Sequence, residues 1–210
     1  MTSGAQADRA RAVAVVLHGR GQEPAYMREA LLSRLSAESV RYVLPDAPGQ
    51  SWYDAKAVDP PTPETETQLS DALGRVAEAV AVARSECAGV PLVLIGFSQG
   101  ACLVAEYLMR GDRADMAAML TGCRVGAVSD ALPTAQLDGM PIYCANGNTD
   151  PWIPPWAFDK AVAGFVAMGA RVRSDVFPGR PHEISAGEIA EIDRMLVSLC
   201  EGRPVFGPAP

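Results

Sequence analysis

The sequence predicts an α/β fold, a mostly parallel central sheet with helices on both faces, and two observations carry that expectation. Short apolar runs of strand length alternate with longer amphipathic stretches, and repeated strand-helix-strand units pack as a parallel sheet covered on both sides. Several of the runs end in glycine-bearing turns; ligands bind at the carboxyl ends of strands in such sheets.

Taken in order, Val13-Ala14-Val15-Val16-Leu17 marks a strand over 12–17, followed by a helix over 24–37 and a strand over 40–44. A long amphipathic stretch predicts a helix over 65–87, entered through Pro60-Pro61-Thr62-Pro63. Val90-Pro91-Leu92-Val93-Leu94-Ile95 reads as a buried strand over 91–96. In the helix expected over 99–110, small Ala101, Cys102 and Ala105 suit close packing on a sheet. Strands over 116–121, 140–145 and 171–177 then alternate with helices over 155–168 and 185–200.

A length of 210 residues, 49% hydrophobic and 20% charged, is enough for one domain over 1–210 with a sizeable core. Residues 1–11 form an N-terminal extension and 202–210 a loosely packed tail. No apolar run approaches spanning length, and the start has no basic flank followed by an apolar stretch. A net charge of −7 disfavours nucleic acid and anionic membrane surfaces as partners. The five cysteines are widely spaced without a CxxC pair, which points to a reducing, cytoplasmic setting and neither a disulfide framework nor a metal site. No cofactor is expected, and a homodimer is compatible with the sequence without being legible in it.

The chemistry centres on Gly96-Phe97-Ser98-Gln99-Gly100, set directly between a buried-type strand and a helix. A serine on so sharp a turn is lifted above the sheet edge, where its hydroxyl can reach a substrate and neighbouring amides can face a developing oxyanion. It needs a base, and the chain has only two histidines, His18 and His182. Enzymes with this strand-turn-helix serine carry nucleophile, acid and histidine in that chain order, which selects His182. The acid then lies between them, in a loop after a strand. Asp150, following the strand over 140–145 and the turn Asn146-Gly147-Asn148-Thr149, fits best. Asp138 precedes its strand, Asp159 falls in a helical pattern and Asp175 within a strand; Asp130 is sterically open as an alternative. For the oxyanion hole, one backbone amide comes from Gln99 and a second from Arg20, in the loop supported by His18 and Gly19, with the Arg20 guanidinium free to point into water.

The chain resembles the phospholipase/carboxylesterase branch of the α/β-hydrolases, which includes bacterial carboxylesterases and acyl-protein thioesterases. The matching segments are Leu17-His18-Gly19-Arg20-Gly21, Pro45-Asp46-Ala47-Pro48 with Trp52-Tyr53-Asp54, Gly96 to Gly100, Asn146 to Pro154, and Pro181-His182-Glu183. The resemblance implies an α/β-hydrolase fold, a triad of Ser98, Asp150 and His182, and an oxyanion hole at the amides of Arg20 and Gln99. Relatives usually carry strands ahead of the His-Gly strand, so a sheet trimmed at its N-terminal edge is expected here. Asn146 stands where many relatives have a second His-Gly pair, and the short Pro60 to Pro63 loop encodes no large lid.

These residues describe a serine hydrolase acting through an acyl-enzyme on carboxylic esters. Trp52, Tyr53, Trp152 and Ile153 fall in loops expected around the serine, which favours small to medium, apolar or aromatic ester substrates. No basic cluster is evident for a phosphate head group. The alternatives are lysophospholipase or acyl-protein thioesterase activity, or a ligand-binding protein that retains the residues without turnover.

Overall fold

The computed structural model describes residues 1–127, 129–130 and 133–206. Its sheet has seven strands: β1 (Thr2–Gly4), β2 (Ala12–Leu17), β3 (Val40–Val43), β4 (Leu92–Phe97), β5 (Met116–Leu120), β6 (Pro141–Gly147) and β7 (Arg171–Phe177). They lie in the order β1-β3-β2-β4-β5-β6-β7, with only β1 antiparallel to its neighbour. This is the expected α/β-hydrolase fold.

Among the described residues four α-helices lie between strands, α1 (Pro24–Ala30), α2 (Pro63–Glu86), α3 (Gln99–Met109) and α4 (Pro155–Ala167), and α5 (Ala186–Cys200) follows β7. Strand β2 shows why the sheet must be covered twice. Its Val13, Val15 and Leu17 face a core layer built with α2, α3 and α4, while Ala12, Ala14 and Val16 face a second layer with α1 and α5. A strand apolar on both faces can only be satisfied in the middle of such a sandwich.

Helix starts follow local chemistry. The Thr62 hydroxyl accepts from the Thr65 amide ahead of Pro63 at the first turn of α2. Ser185 and Glu188 close a capping box at α5.

The chain turns from β2 to β3 on one side of the sheet and then crosses back to β4 on the other side of β2. The crevice above the ends of β2 and β4 is therefore the topological switch point, where ligands of open α/β sheets bind. Among the described residues, the connection from β5 to β6 carries no helix that could act as a lid.

Three details depart from expectation. Residues 1–11 are more than an extension, because Thr2–Gly4 pairs with β3 and adds a short antiparallel edge strand; three residues are too few to show a period. The helix expected over 24–37 stops at Ala30 and gives way to a 3₁₀ turn over Leu32–Arg34, where the Ser33 hydroxyl takes the Glu29 carbonyl that an α-helical amide would use. The tail is packed as far as Phe206: Val205 is buried in the α1/α5 layer, and its carbonyl accepts from Arg194. Residues 207–210 of the expected loose tail lie outside the described residues.

Candidate active site

Ser98 occupies the turn between β4 and α3 with φ 56° and ψ −119°, a left-handed conformation that costs a non-glycine residue on the order of 1–3 kcal/mol. The surroundings hold it there. Its amide donates to the Leu120 carbonyl at 2.9 Å, and its carbonyl accepts from the Cys102 amide at 3.0 Å. A Cβ on Gly96 would collide with the Gly100 carbonyl, and one on Gly100 with the Leu17 carbonyl. Both glycines are required for strand, turn and helix to approach this closely.

His182 reaches the serine from the loop after β7. Its Nε2 lies 2.8 Å from Ser98 Oγ, and its Nδ1 lies 2.7 Å from Asp150 Oδ2. The other Asp150 oxygen, Oδ1, accepts from the amides of Trp152 at 2.8 Å and Ile153 at 2.9 Å. Burial pushes the Asp150 carboxyl up, but the hydrogen bonds from His182, Ile153 and Trp152 together outweigh it and hold the group below its ordinary value. An ionised carboxylate only accepts, so the proton of the neutral imidazole sits on Nδ1 and Nε2 is free to accept from the serine hydroxyl.

The loops carrying the acid and the histidine are bonded to each other. The Gly179 amide donates to Asn148 Oδ1 at 2.7 Å, and the Thr149 hydroxyl to the Arg180 carbonyl at 3.0 Å. The Phe97 ring lies 5.1 Å from the imidazole and stacks with the Tyr26 ring at 6.2 Å.

The four rival aspartates lie in other surroundings. Asp130 accepts from the Ala127 amide, Asp138 faces Arg113, Asp175 accepts from the Tyr143 hydroxyl, and Asp159 is exposed.

The loop after β2 presses against the serine: a Cβ on Gly19 would lie 3.0 Å from Ser98 Cβ. Next to it, the Arg20 amide donates to no acceptor among the described residues, and neither does that of Gln99 in the first turn of α3. His18 braces the loop. Its Nε2 accepts from the Ala47 amide at 3.1 Å, so Nδ1 is the donor to the Gly19 carbonyl at 2.8 Å.

Two side chains do more than the sequence suggested. The Arg20 guanidinium, expected in water, donates to the carbonyls of Asp54 at 2.7 Å and Ala55 at 2.6 Å. The Gln99 side chain accepts from the Trp52 amide at 2.9 Å and donates to the Tyr53 carbonyl at 2.6 Å. A glutamine at the start of an otherwise small and apolar helix was the available signal, because a buried amide must find partners.

Of the residues expected to surround the serine, Trp52 and Tyr53 are only 5% and 3% exposed. Trp52 donates from its indole to the His18 carbonyl and so lies beneath the loop. Ile153 is buried as well, whereas Trp152 is 63% exposed. The aromatic pair after β3 thus serves as foundation, and Trp152 is the member open to solvent. Among the described residues no group of three His, Cys, Asp or Glu side chains could hold a metal ion, and no helix is long and apolar enough to cross a membrane.

Residues 4–199 match the sequence profile of the phospholipase/carboxylesterase family. The chain belongs to that family. Among solved structures it is similar to a phospholipase/carboxylesterase from Dyadobacter fermentans, with 31% identity, 94% of this chain and 95% of the other covered, and a TM-score of 0.82. Esterase PE8 shares the fold at 19% identity over 95% and 97% of the two chains, with a TM-score of 0.72. SOBER1 from Arabidopsis thaliana does so at 21% identity over 92% and 99%, also with a TM-score of 0.72. A search of curated proteins finds no match. Family membership supports hydrolase activity of the ester-cleaving α/β-hydrolase kind.

Proposed function

We propose that the protein is a serine esterase in which Ser98 is the nucleophile, His182 the general base and Asp150 the group that orients and stabilises the histidine. The observation that carries this reading is the unbroken hydrogen-bonded chain from Ser98 Oγ through His182 to Asp150, at 2.8 and 2.7 Å. In the acylation step His182 Nε2 takes the hydroxyl proton as Ser98 attacks the ester carbonyl. The imidazolium then returns that proton to the departing alcohol. The amides of Arg20 and Gln99 receive the negative charge on the carbonyl oxygen, and water activated by the same imidazole releases the acid.

The substrates are small to medium carboxylic esters with an apolar or aromatic group, met by Trp152 beside the acid loop. A reducing, cytoplasmic setting suits the five free thiols.

The test is hydrolysis of a series of p-nitrophenyl esters of increasing acyl length by the wild type and by Ser98→Ala. The variant is expected to lose kcat by at least about 10⁴-fold with its fold intact. Turnover that survives the substitution removes the serine from the mechanism.

A further inference from the structure

The sheet is finished differently at its two ends. One ends in the three-residue β1. The other ends in β7, seven residues long and paired only with β6, so that its outer backbone edge has no strand partner among the described residues. An open edge of that length is a template for another strand. As far as Phe206, the last described residue, the chain's own C-terminal segment meets it at the first residue, where the Arg171 side chain donates to the Phe206 carbonyl.

The sequence Val172-Arg173-Ser174-Asp175-Val176 is complementary to itself when reversed. Two copies of an edge strand related by a twofold axis normal to the sheet pair antiparallel, and each keeps its upper and lower faces. Centred on Ser174, that pairing sets Arg173 opposite the Asp175 of the second copy, twice, on one face. On the other it sets Val172 opposite Val176, which is 48% exposed in the single chain. Centring on residue 173 instead would oppose two guanidiniums, and centring on 175 two carboxylates, both unfavourable directly across a ladder. The charged pair is available for this contact. Arg173 keeps 44% and Asp175 30% of its side-chain surface open while they lie 3.3 Å apart, with Arg173 also against Glu191 and Asp175 accepting from the Tyr143 hydroxyl.

We propose that β7 is the docking edge for a second copy of this chain, in antiparallel register about Ser174, so that two sheets join into one. The association asks nothing of the hydrolytic chemistry and stands or falls apart from it.

Sedimentation velocity on the full chain over a micromolar concentration series is expected to show a monomer-dimer equilibrium. Ser174 is exposed, so Ser174→Asp leaves the single chain folded, as circular dichroism will verify, but opposes two carboxylates at the axis and is expected to abolish the dimer. Asp175→Arg alone is expected to abolish it too, and adding Arg173→Asp to that variant to restore it, because the exchanged pair is complementary again. Mild oxidation of Ser174→Cys should give a disulfide-linked dimer through residue 174. A wild type that stays monomeric throughout overturns the proposal, and so does a dimer that survives Ser174→Asp.

Discussion

The Ser98 turn and the His182 loop meet through one hydrogen bond and the Phe97 ring, yet they are held in different ways. Ser98 is fixed by backbone: two strand ends, two glycines without room for a Cβ, and a left-handed conformation that the packed core enforces. His182 stands on a loop five residues beyond its strand, where the Arg180 carbonyl packs closely on Gly147 and side chains supply the other ties. Thr149 and Asn148 tie that loop to the acid loop, and Arg180 approaches Glu188 at 3.2 Å beneath it. Burial raises the Glu188 carboxyl despite the opposing pull of Ser185 and Arg180. The strained half of the site therefore sits between packed strand ends, and the half proposed to move a proton rests in part on polar contacts that can be loosened one at a time.

The largest effect is expected where the comparison is cut at its charged end. Asp150→Asn keeps the shape but lets the imidazole adopt the other tautomer, with Nε2 protonated and unable to accept from Ser98. A loss of about 10⁴-fold in kcat is expected, measured on a short p-nitrophenyl ester. A variant within tenfold of wild type would show that the carboxylate does not set the tautomer.

The same residue links the site to pH. A carboxyl held below its ordinary value in the folded chain contributes stability that is fully present above the unfolded value, about pH 4. That contribution is lost as the pH falls through the lower folded value. Urea midpoints at neutral pH and near pH 3 should thus fall less steeply for Asp150→Asn than for wild type. Equal slopes would mean that the hydrogen bonds to Asp150 do not favour its ionised form.

Breaking the backbone-held half is expected to read out first as stability. Gly100→Ala drives a methyl into the carbonyls of Leu17 and His18, neither of which can yield without moving β2. An overpacking cost of about 1–3 kcal/mol in urea unfolding is expected, with activity falling because the displaced strand end carries the Arg20 amide. Retained stability would show that the turn is softer than its contacts imply.

Much of this was legible in sequence because the candidate site lies at strand ends, and strands buried on both faces announce themselves as continuous apolar runs. From Val13 to Leu17 and Leu92 to Ile95, hydrophobicity alone locates the two strands, and the order serine, aspartate, histidine picks out three side chains that the structure joins at 2.8 and 2.7 Å. What was not legible depends on which loop lands on which. Nothing local to Trp52 and Tyr53 distinguishes a cleft wall from a foundation; the decision comes from Gln99, 47 positions from Trp52, whose amide reaches their backbone. Arg20 likewise looks solvated until the carbonyls of Asp54 and Ala55 arrive above it. Strand β1 escaped because its pairing with β3 is made by backbone, which any three residues can supply.

The smallest expected effect tests whether the side-chain ties around His182 matter for chemistry or only for folding. Thr149→Val keeps the shape and removes the hydroxyl that donates to the Arg180 carbonyl. Losing that one bond is expected to cost about 1 kcal/mol of stability. If the tie also aims the imidazole, kcat should fall by up to about tenfold while KM holds, since a base misplaced by a fraction of an ångström weakens proton transfer without touching substrate affinity. Glycine contacts, by contrast, admit no such graded loosening, so a Thr149→Val enzyme with unaltered kcat would put His182 under the same backbone control as Ser98.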